Sequence, residues 1–320
     1  MQRLRLQPRQ SGSIEAARPS AAAQPRISNR MRDALFGYLF ISPQVIGFLI
    51  LVLVPLIAVF YYGFRNQSLL TGTSDFAGFD NYVYMFERDA LFGKVIVNSL
   101  VFMLGTVVFN VILSLVLAVM LMQLGRARTL YRVLFFAPVV TSGAAWAIVW
   151  RFILQGEQGT LNQFLATIGI DGPNWLYDAN WAMLSVIITR VIKNAGLNIV
   201  IFTAALAMIP HDYAEAAHVD GANNRQVFTR ITLPLLMPTI LVVVILTMIG
   251  SMKVFDHIVL MTRGGPANAT MVLIYYIYYQ GFQFFETGYA SALAVILFLI
   301  SLVLTLVQWL SRKVFVYNEQ

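Results

Sequence analysis

Apolar residues run along most of this chain in six long stretches that polar segments separate. The stretches cover residues 35–62, 95–124, 133–154, 181–209, 235–258 and 290–310. About 20 apolar residues in a helix cross the roughly 30 Å hydrocarbon core of a bilayer, so each stretch predicts one membrane-spanning helix. Pro43, Pro55 and Pro138 lie inside the stretches, where neighbouring helices can satisfy the carbonyl groups that a proline leaves unpaired. The pattern predicts an all-α, polytopic membrane protein with six spans.

Composition supports a membrane protein and changes how its basic charge is interpreted. Of the 320 residues, 58% are hydrophobic and 12% are charged, and the mean hydropathy is +0.71. Soluble domains carry about 25% charged residues. The net charge of +7 sits mainly in the first 32 residues and beside the apolar stretches. This placement favours contact with membrane lipid and argues against a nucleic-acid partner.

The distribution of Lys and Arg predicts the orientation of the spans. Residues 1–32 carry seven Arg among Ser, Ala, Pro and Gln and predict a disordered, basic cytoplasmic tail before a membrane domain of residues 33–320. With this tail inside, the predicted cytoplasmic segments hold 14 Lys and Arg, and the outer segments hold five. Because Lys and Arg are enriched in cytoplasmic loops, we expect both termini in the cytoplasm. Three long, aromatic outer loops, at 63–94, 155–180 and 259–289, are expected to contact something outside.

The chain lacks the residues of several catalytic and metal sites. It contains no Cys, and its three His (His211, His218 and His257) have no metal-ligand spacing. No span carries paired carboxylates, so we expect no catalytic residues and no metal. A phosphate-binding loop of the form GxxxxGKS or GxxxxGKT is also missing, which predicts that this chain does not hydrolyse ATP.

The segment 210–234, between the fourth and fifth stretches, is unusually polar for its position. Asp212 and Glu215 have capping-box spacing, which predicts a helix over 213–220 with Asp212 as its N-cap. Gly221 is placed to end that helix in a left-handed conformation. A second short helix is predicted at 224–231, and Pro234 is predicted to begin the next span. The alternative is an amphipathic connector resting on lipid, although such helices usually carry Lys opposite bulky apolar residues.

The spacing in this segment resembles the EAA loop of permease subunits in ABC importers. Glu215-Ala216-Ala217 are followed by three residues, Gly221, nine residues, Ile231, one residue and Leu233-Pro234. Other segments are similar to the carbohydrate-uptake branch, and in particular to the maltose-type permease member with a cytoplasmic N-terminal extension: FAGFDNY, NSLVF, YRVLFFAPVV, GTLNQFL, MKVFDHI, TRGGPANAT and GYASALAVIL. Ile192 departs from this pattern, because the family often has Trp before the Lys.

The resemblance implies the type I ABC importer permease fold, a bacterial or archaeal plasma (inner) membrane, and a carbohydrate, polyol or glycoside as the solute. It implies four kinds of neighbour: a homologous permease, two ATPase subunits, an extracytoplasmic solute-binding protein and lipid. No cofactor would be bound by this chain, because ATP and Mg would be used by the ATPase. The segment 210–234 would be a coupling helix in a groove of that ATPase. Its contact and shape residues would be Glu215, Ala216, Ala217, Asp220, Gly221, Ile231 and Pro234.

Polar side chains inside the apolar stretches are candidates for a solute path. Arg190, Asn194 and Asn198 recur every four residues and share one helix face, with Lys193 beside it. Because Arg or Lys at the bilayer centre costs about 2.5–3.5 kcal/mol, the charged groups either line a polar lumen or reach the outer headgroups. Thr106, Asn110 and Ser114 form a similar row, which could also bond one helix to another.

Further candidates are aromatic or lie near the end of the fifth stretch. Trp146, Trp150 and the tyrosines of 275–279 could stack on a sugar ring, although Trp and Tyr also mark membrane interfaces. Ser251 is a further solute-path candidate. Lys253 and Asp256 have the spacing of an ion pair within a helix. The intramembrane charges leave open an alternative function, a secondary transporter driven by an ion gradient, which would not explain the segment 210–234.

Overall fold

The structure is a computed structural model that describes residues 26–124 and 128–315. It divides into two compact units, one ending at Leu56 and the other beginning at Ile57. Residues 1–25 of the expected basic tail lie outside the described residues. Residues 26–32 belong to helix α1 (Arg26–Phe48), so the helix begins earlier than the boundary expected at residue 33.

Among the residues that the structure describes, five helical segments are long and apolar enough to cross a membrane. They are Asp33–Gly63, Phe92–Gln123, Ala179–Met208, Asn224–Met252 and Thr287–Leu310. The first is built from α1, a π-type turn (Leu49–Leu53) and α2 (Val54–Gly63). The second and third are α4 (Phe92–Gln123) and α8 (Ala179–Met208), and the last lies within α13 (Thr287–Phe315). These five confirm the first, second, fourth, fifth and sixth predicted spans.

The third predicted span is broken, so the expectation of one helix over 133–154 is wrong. Helix α5 (Arg128–Val140) and helix α6 (Gly143–Ile153) meet at an angle of 101°. The break lies at Thr141 and Ser142, beyond Pro138 rather than at it. Counting this bent pair as one span gives six, which agrees with the hydropathy pattern in number but not in shape.

Helix α8 is the central element of the second unit, and it packs against α4, α5 and α11 (Leu233–Met252). Small residues allow these helices to approach closely. A Cβ at Gly196 of α8 would lie 2.1 Å from the carbonyl oxygen of Phe135 in α5, and a Cβ at Gly105 of α4 would lie 2.8 Å from Ile187 Cδ1. Close backbone approach through small residues is typical of helix packing in membranes.

The loops that the sequence predicts to be outer are folded rather than extended. Strands β1 (Arg65–Gln67) and β2 (Ser74–Phe76) pair antiparallel, with Arg65 opposite Phe76. Short helices follow: α3 (Asp80–Val83), α7 (Thr160–Thr167) and α12 (Leu273–Tyr278). The Asn81 side chain donates to the carbonyls of Gly63 and Arg65, at 3.0 and 2.9 Å. This amide joins the hairpin to the end of the first span.

One carboxylate ties the first outer loop to the last. Asp89 accepts hydrogen bonds from the backbone N–H groups of Leu91 and Phe92, at 2.9 and 3.3 Å. It also accepts from the hydroxyls of Tyr276, at 2.7 Å, and Tyr289. Burial raises the pKa of the Tyr276 hydroxyl, so it stays a donor at physiological pH. Asp89 therefore both starts α4 and holds α12 against α13.

The same packing covers Tyr275 and Tyr276, two of the tyrosines that were candidates for stacking on a sugar ring. Tyr275 and Tyr276 are each only 3% exposed and belong to the main apolar cluster. Their rings are covered by neighbours such as Phe255, whose ring centre lies 6.2 Å from that of Tyr275. In this structure these two rings pack the core and leave no face for a sugar.

We predict that Asp89→Ala lowers the stability of the outer face markedly. Four donors, two of them buried hydroxyls, would lose their acceptor, and leaving such groups unpaired costs about 1–3 kcal/mol each. Asp89→Asn should cost less, because one amide oxygen remains. In thermal unfolding of the purified protein, the midpoint temperature should fall from the wild type to Asp89→Asn and again to Asp89→Ala. Asp75→Ala on the exposed strand β2 is the matched control, and equal midpoints for Asp75→Ala and Asp89→Ala would contradict the role.

Candidate functional site

The polar segment 210–234, called here the elbow, begins with helix α9 (His211–Val219). Pro210 is its N-cap, with ψ 136°, and no side chain caps the helix. The prediction of Asp212 as N-cap is therefore wrong, because the helix starts directly after the proline and places Asp212 in its first turn. An acidic residue there still complements the positive end of the helix dipole. Glu215 is exposed on the following turn.

Gly221 ends α9 in the left-handed conformation that the sequence predicts, with φ +83°. Its N–H donates to the His218 carbonyl at 3.0 Å, and the Ala222 N–H donates to the Ala217 carbonyl at 2.9 Å. This pair of bonds is the Schellman motif, which satisfies carbonyls at the end of a helix. A Cβ at Gly221 would meet nothing within 4 Å, so the need for glycine there is conformational rather than steric.

The second half of the elbow differs from its prediction. Helix α10 (Asn224–Val227) has a true capping box: Asn223 Oδ1 accepts from the Gln226 N–H at 3.0 Å, and Gln226 Oε1 accepts from the Asn223 N–H at 2.8 Å. The N-x-x-Q spacing of these residues was the sequence signal for it. The helix then continues through a π-type turn (Phe228–Thr232) into α11 (Leu233–Met252).

A separate helix at 224–231 and a new start at Pro234 are therefore both wrong. Asn224–Met252 is one continuous helical segment of 29 residues. Pro234 has no N–H to donate to a carbonyl one turn back, and the wider π-type turn just before it rearranges the hydrogen bonds at that point. The elbow thus passes directly into the fifth span.

The two halves of the elbow enclose a concave notch of about 330 Å³. Its lining combines small residues with polar ones: Ala217, Asp220, Gly221, Ala222, Gln226, Arg230 and Ile231. Four of the residues singled out from the sequence, Ala217, Asp220, Gly221 and Ile231, meet in this notch. Glu215, Ala216 and Pro234 belong to the elbow but do not line the notch. Beside it, Tyr213 is 54% exposed and Val219 is 88% exposed, so an apolar surface stands next to the notch.

Inside the membrane domain, amide and hydroxyl groups join three helices. Asn198 of α8 is 4% exposed, and its amide donates to Asn110 Oδ1 on α4 and to Thr247 Oγ1 on α11, the latter at 3.1 Å. The Asn110 amide donates to the Val191 carbonyl at 3.1 Å, and Ser114 donates to the Ala195 carbonyl at 3.3 Å. Asn110 and Ser114 of the predicted row therefore bond one helix to another, one of the two alternatives left open by the sequence, whereas the buried Thr106 hydroxyl has no hydrogen-bond partner.

The other candidates of the solute path fall into two groups. Ser251 is 3% exposed and donates to the Thr247 carbonyl at 2.6 Å. Arg190 and Asn194 are half-buried, and the Arg190 guanidinium donates to the Gly250 carbonyl on α11 at 3.3 Å. Within the predicted row, Arg190 and Asn194 keep some open surface, whereas Asn198 is covered.

Lys193 and Trp146 lie together at the break in the third span. Lys193 is 7% exposed, and its ammonium donates to the carbonyls of Pro138 and Thr141, at 3.0 and 2.7 Å. The ammonium lies 5.8 Å from the centre of the Trp146 ring, and Trp146 Nε1 donates to the Thr189 carbonyl at 3.0 Å. These contacts are with backbone carbonyls of the same chain.

The predicted ion pair between Lys253 and Asp256 does not form. Helix α11 ends at Met252 and Lys253 is its exposed C-cap, so the two side chains no longer share a helical turn. Asp256 instead accepts from the backbone N–H of His257 and pairs with its ring Nδ1, both at 3.0 Å. Within 26–124 and 128–315, no group of three or more His, Asp or Glu could hold a metal ion.

The face formed by the predicted outer loops also carries a polar pocket, of about 580 Å³. It lies between the first outer loop and the segment before α13, beside the Asp89 contacts. Its lining is Asn66, Ala77, Asp80, Asn81, Val83, Tyr84, Arg88, Gln280, Glu286 and Tyr289. This pocket and the notch of the elbow are both concave surfaces outside the long apolar helices.

Comparison with known proteins gives a consistent result. A family model described as "Binding-protein-dependent transport system inner membrane component" matches residues 110–316. The probable ABC transporter permease protein YesP of Bacillus subtilis (strain 168) is 33% identical over 93% of this chain and 97% of its own length. The arabinooligosaccharides transport system permease protein AraP of the same organism is 31% identical over 94% of this chain and 96% of its own length.

A solved structure has the same fold. One chain of a crystal structure, "bacterial alginate ABC transporter in complex with alginate pentasaccharide-bound periplasmic protein", superposes with a TM-score of 0.78 and 26% identity. The match covers 91% of this chain and 99% of that one.

We predict that Gly221→Val strains the elbow and increases the fraction of molecules in which the elbow is locally unfolded. A left-handed conformation costs a residue with a side chain about 1–2 kcal/mol, and about 1.4 kcal/mol is a tenfold change in an equilibrium. Limited proteolysis within 210–234 should therefore quicken by about tenfold. Gly221→Asn, which tolerates positive φ, should be cleaved at nearly the wild-type rate. Gly250→Ala is the control, because its Cβ also meets nothing within 4 Å but φ is not positive. Equal rates for all three variants would show that the turn does not depend on Gly221.

Proposed function

Because the chain belongs to the family of binding-protein-dependent transport system inner membrane components, we propose that it is the permease subunit of an ATP-driven importer of a carbohydrate or carbohydrate-like solute. The observation that carries this proposal is the elbow, a structured, solvent-facing notch joined directly to two spans. The solute class is supported by the relatives, since AraP is named for arabinooligosaccharides and the solved transporter for alginate.

The elbow is suited to transmit a conformational change of a cytoplasmic ATPase to the spans. Helix α8 ends at Met208 and α9 begins at His211, so one side of the elbow follows a span closely. The other side continues as Asn224–Met252, about 44 Å of helix at 1.5 Å per residue. Movement of the elbow would therefore be carried by rigid helices rather than absorbed by a loop.

The two spans that meet at the elbow are also bonded to each other. Asn198 and Arg190 of α8 donate to Thr247 and to the Gly250 carbonyl of α11. In this proposal Glu215 offers the charge contact with the ATPase, Ala216 and Ala217 allow close approach, and Gly221 sets the turn. The notch with Asp220 and Ile231 would accept part of the ATPase surface, while Pro234 lies where the elbow enters the span.

The complete importer would contain a second, homologous permease, two ATPase subunits that use ATP and Mg, and an extracytoplasmic solute-binding protein. ATP binding would favour one arrangement of the spans and hydrolysis the other, because a ligand shifts a conformational equilibrium by its differential affinity for the two states. The binding protein would dock on the folded outer loops, where the 580 Å³ polar pocket lies. Both termini would be cytoplasmic, as the Lys and Arg distribution favours.

The rival, an ion-gradient-driven secondary transporter, rested on the intramembrane charges. Lys193 and Arg190 have backbone carbonyl partners, so each has a structural role in this fold.

Uptake into proteoliposomes separates the two functions. ATP inside the vesicles with the binding protein outside should support uptake that persists when a protonophore collapses the ion gradient. Uptake that needs the gradient and ignores ATP would support the rival. A thermal-shift screen of the binding protein against sugars would identify the solute.

We predict that Glu215→Lys uncouples the permease from its ATPase. The substitution reverses the charge of an exposed elbow residue without altering the turn, and like charges facing each other across an interface cost several kcal/mol. ATP-driven uptake and co-purification of the ATPase should fall by about tenfold or more. Glu157→Lys, at an exposed outer-loop carboxylate, should keep both. Normal transport by Glu215→Lys would rule out Glu215 as the contact.

We predict that Asn194 faces the solute path and Asn198 does not. Asn194 is half-buried and Asn198 is 4% exposed. The chain has no native Cys, so a water-soluble thiol reagent would report only the introduced residue. Asn194→Cys should react at a rate that changes with nucleotide, whereas Asn198→Cys should stay inert. If Asn194→Cys is inert in every nucleotide state, the path lies elsewhere, in the second, third and fifth spans.

A further inference from the structure

The break in the third span leaves carbonyl groups at the end of α5 without the next helical turn. In a continuous helix the carbonyl of residue i accepts from the N–H of residue i+4, but the chain turns at Thr141 and Ser142. Lys193 reaches these carbonyls from the middle of α8 and donates to Pro138 and Thr141, at 3.0 and 2.7 Å. A cation thus lies at the negative end of the α5 dipole.

The start of α6 meets the opposite charge. A Cβ placed on Gly143, the first residue of α6, would lie only 1.7 Å from Asp256 Oδ2. The carboxylate therefore fills the space that a side chain would need there, close to the positive end of the α6 dipole. The other oxygen of Asp256 is held by the N–H and ring of His257, a residue that is fully buried.

Helix α6 is fastened on one side only. Trp146 Nε1 donates to the Thr189 carbonyl at 3.0 Å, one turn before Lys193 on α8. The opposite face of α6 is open: Ile148, Val149 and Phe152 are 43%, 54% and 66% exposed. The buried face of α6 packs through Ala147 onto an apolar cluster that includes Met261. The position of α6 relative to α5 thus depends on packing from one side and on the polar contacts at the break.

We propose that Lys193 and Asp256 are positioning residues that hold the third span in its broken form, and that α6 swings about Thr141 and Ser142 as a half-helix gate during transport. The inference rests on the proposed function. The two charges stabilise the two helix ends that the break creates. Without them, joining α5 and α6 into one straight helix would pair the same carbonyls within the backbone. The charges therefore decide between a bent and a straight third span.

Two spin labels can measure this bend. Leu130 of α5 and Phe152 of α6 are 62% and 66% exposed, and the chain has no native Cys. From the 1.5 Å rise per residue, these Cα atoms lie about 20 Å apart across a right-angled break and about 33 Å apart in a straight helix. Pulsed electron paramagnetic resonance on Leu130→Cys/Phe152→Cys, in the assembled importer in lipid nanodiscs, resolves this difference.

In the wild-type background we expect the short distance, with a second population that appears when nucleotide is changed. Lys193→Met, which keeps the length of the side chain but not its charge, should move the distribution to the long distance and abolish the nucleotide response. Lys193→Arg should restore both. A short, nucleotide-responsive distance in Lys193→Met would overturn the proposal, whatever its transport rate, and so would a wild-type distance that never changes.

Gly143→Ala gives a second test that does not alter any charge, in case Lys193→Met fails to assemble. The new Cβ must displace the Asp256 carboxylate, so the distance should lengthen as in Lys193→Met. The double variant Gly143→Ala/Asp256→Ala removes the collision, but it also removes the carboxylate charge, so the distance should stay long.

A return to wild-type behaviour in that double variant would show that Asp256 does not position α6. Wild-type uptake driven by ATP with unaltered distances in all variants refutes only this inference, whereas absent ATP-driven uptake refutes the proposed function.

Discussion

The amide of Asn198 joins three membrane helices at one point, and much of the molecule depends on this kind of bond. A polar group inside a membrane has no water to pair with, so it must find its partner within the protein. Asn198 finds partners on α4 and α11, and Arg190 and Lys193 find backbone carbonyls on α11 and α5. Helix α8 therefore fixes the positions of its neighbours by hydrogen bonds, while the apolar residues fill the space between them.

This constraint explains what the sequence could predict. Hydropathy locates a helix because apolar side chains are repeated along it, and five of the six stretches are helices of the expected kind. The left-handed Gly221 was also predictable, since the turn depends on a few adjacent residues. Such features are local, and a single sequence contains all the information that they require.

The errors concern contacts with distant residues. The Thr141 carbonyl at the break accepts a hydrogen bond from Lys193, 52 positions away in the chain, and hydropathy does not register such a bond. Lys193 was a candidate for a solute path or for contact with the outer headgroups, because its desolvation cost was weighed without knowing that two carbonyls were available. Lys253 and Asp256 were paired on the assumption that the helix continued, although it ends at Met252. Asp212 was displaced from the N-cap by the start of α9 directly after Pro210.

The π-type turn at Phe228–Thr232 has a consequence for the angular phase of the fifth span. A π turn holds one residue more than an α turn, and each residue advances a helix by about 100°. The faces of α11 that carry Thr247 and Ser251 are therefore rotated relative to the elbow by about that angle, compared with an uninterrupted α-helix. Unwinding or moving this single turn would rotate the inner surface of the span without shifting the elbow along its axis. The molecule thus has a point at which a linear displacement in the cytoplasm could become a rotation within the bilayer.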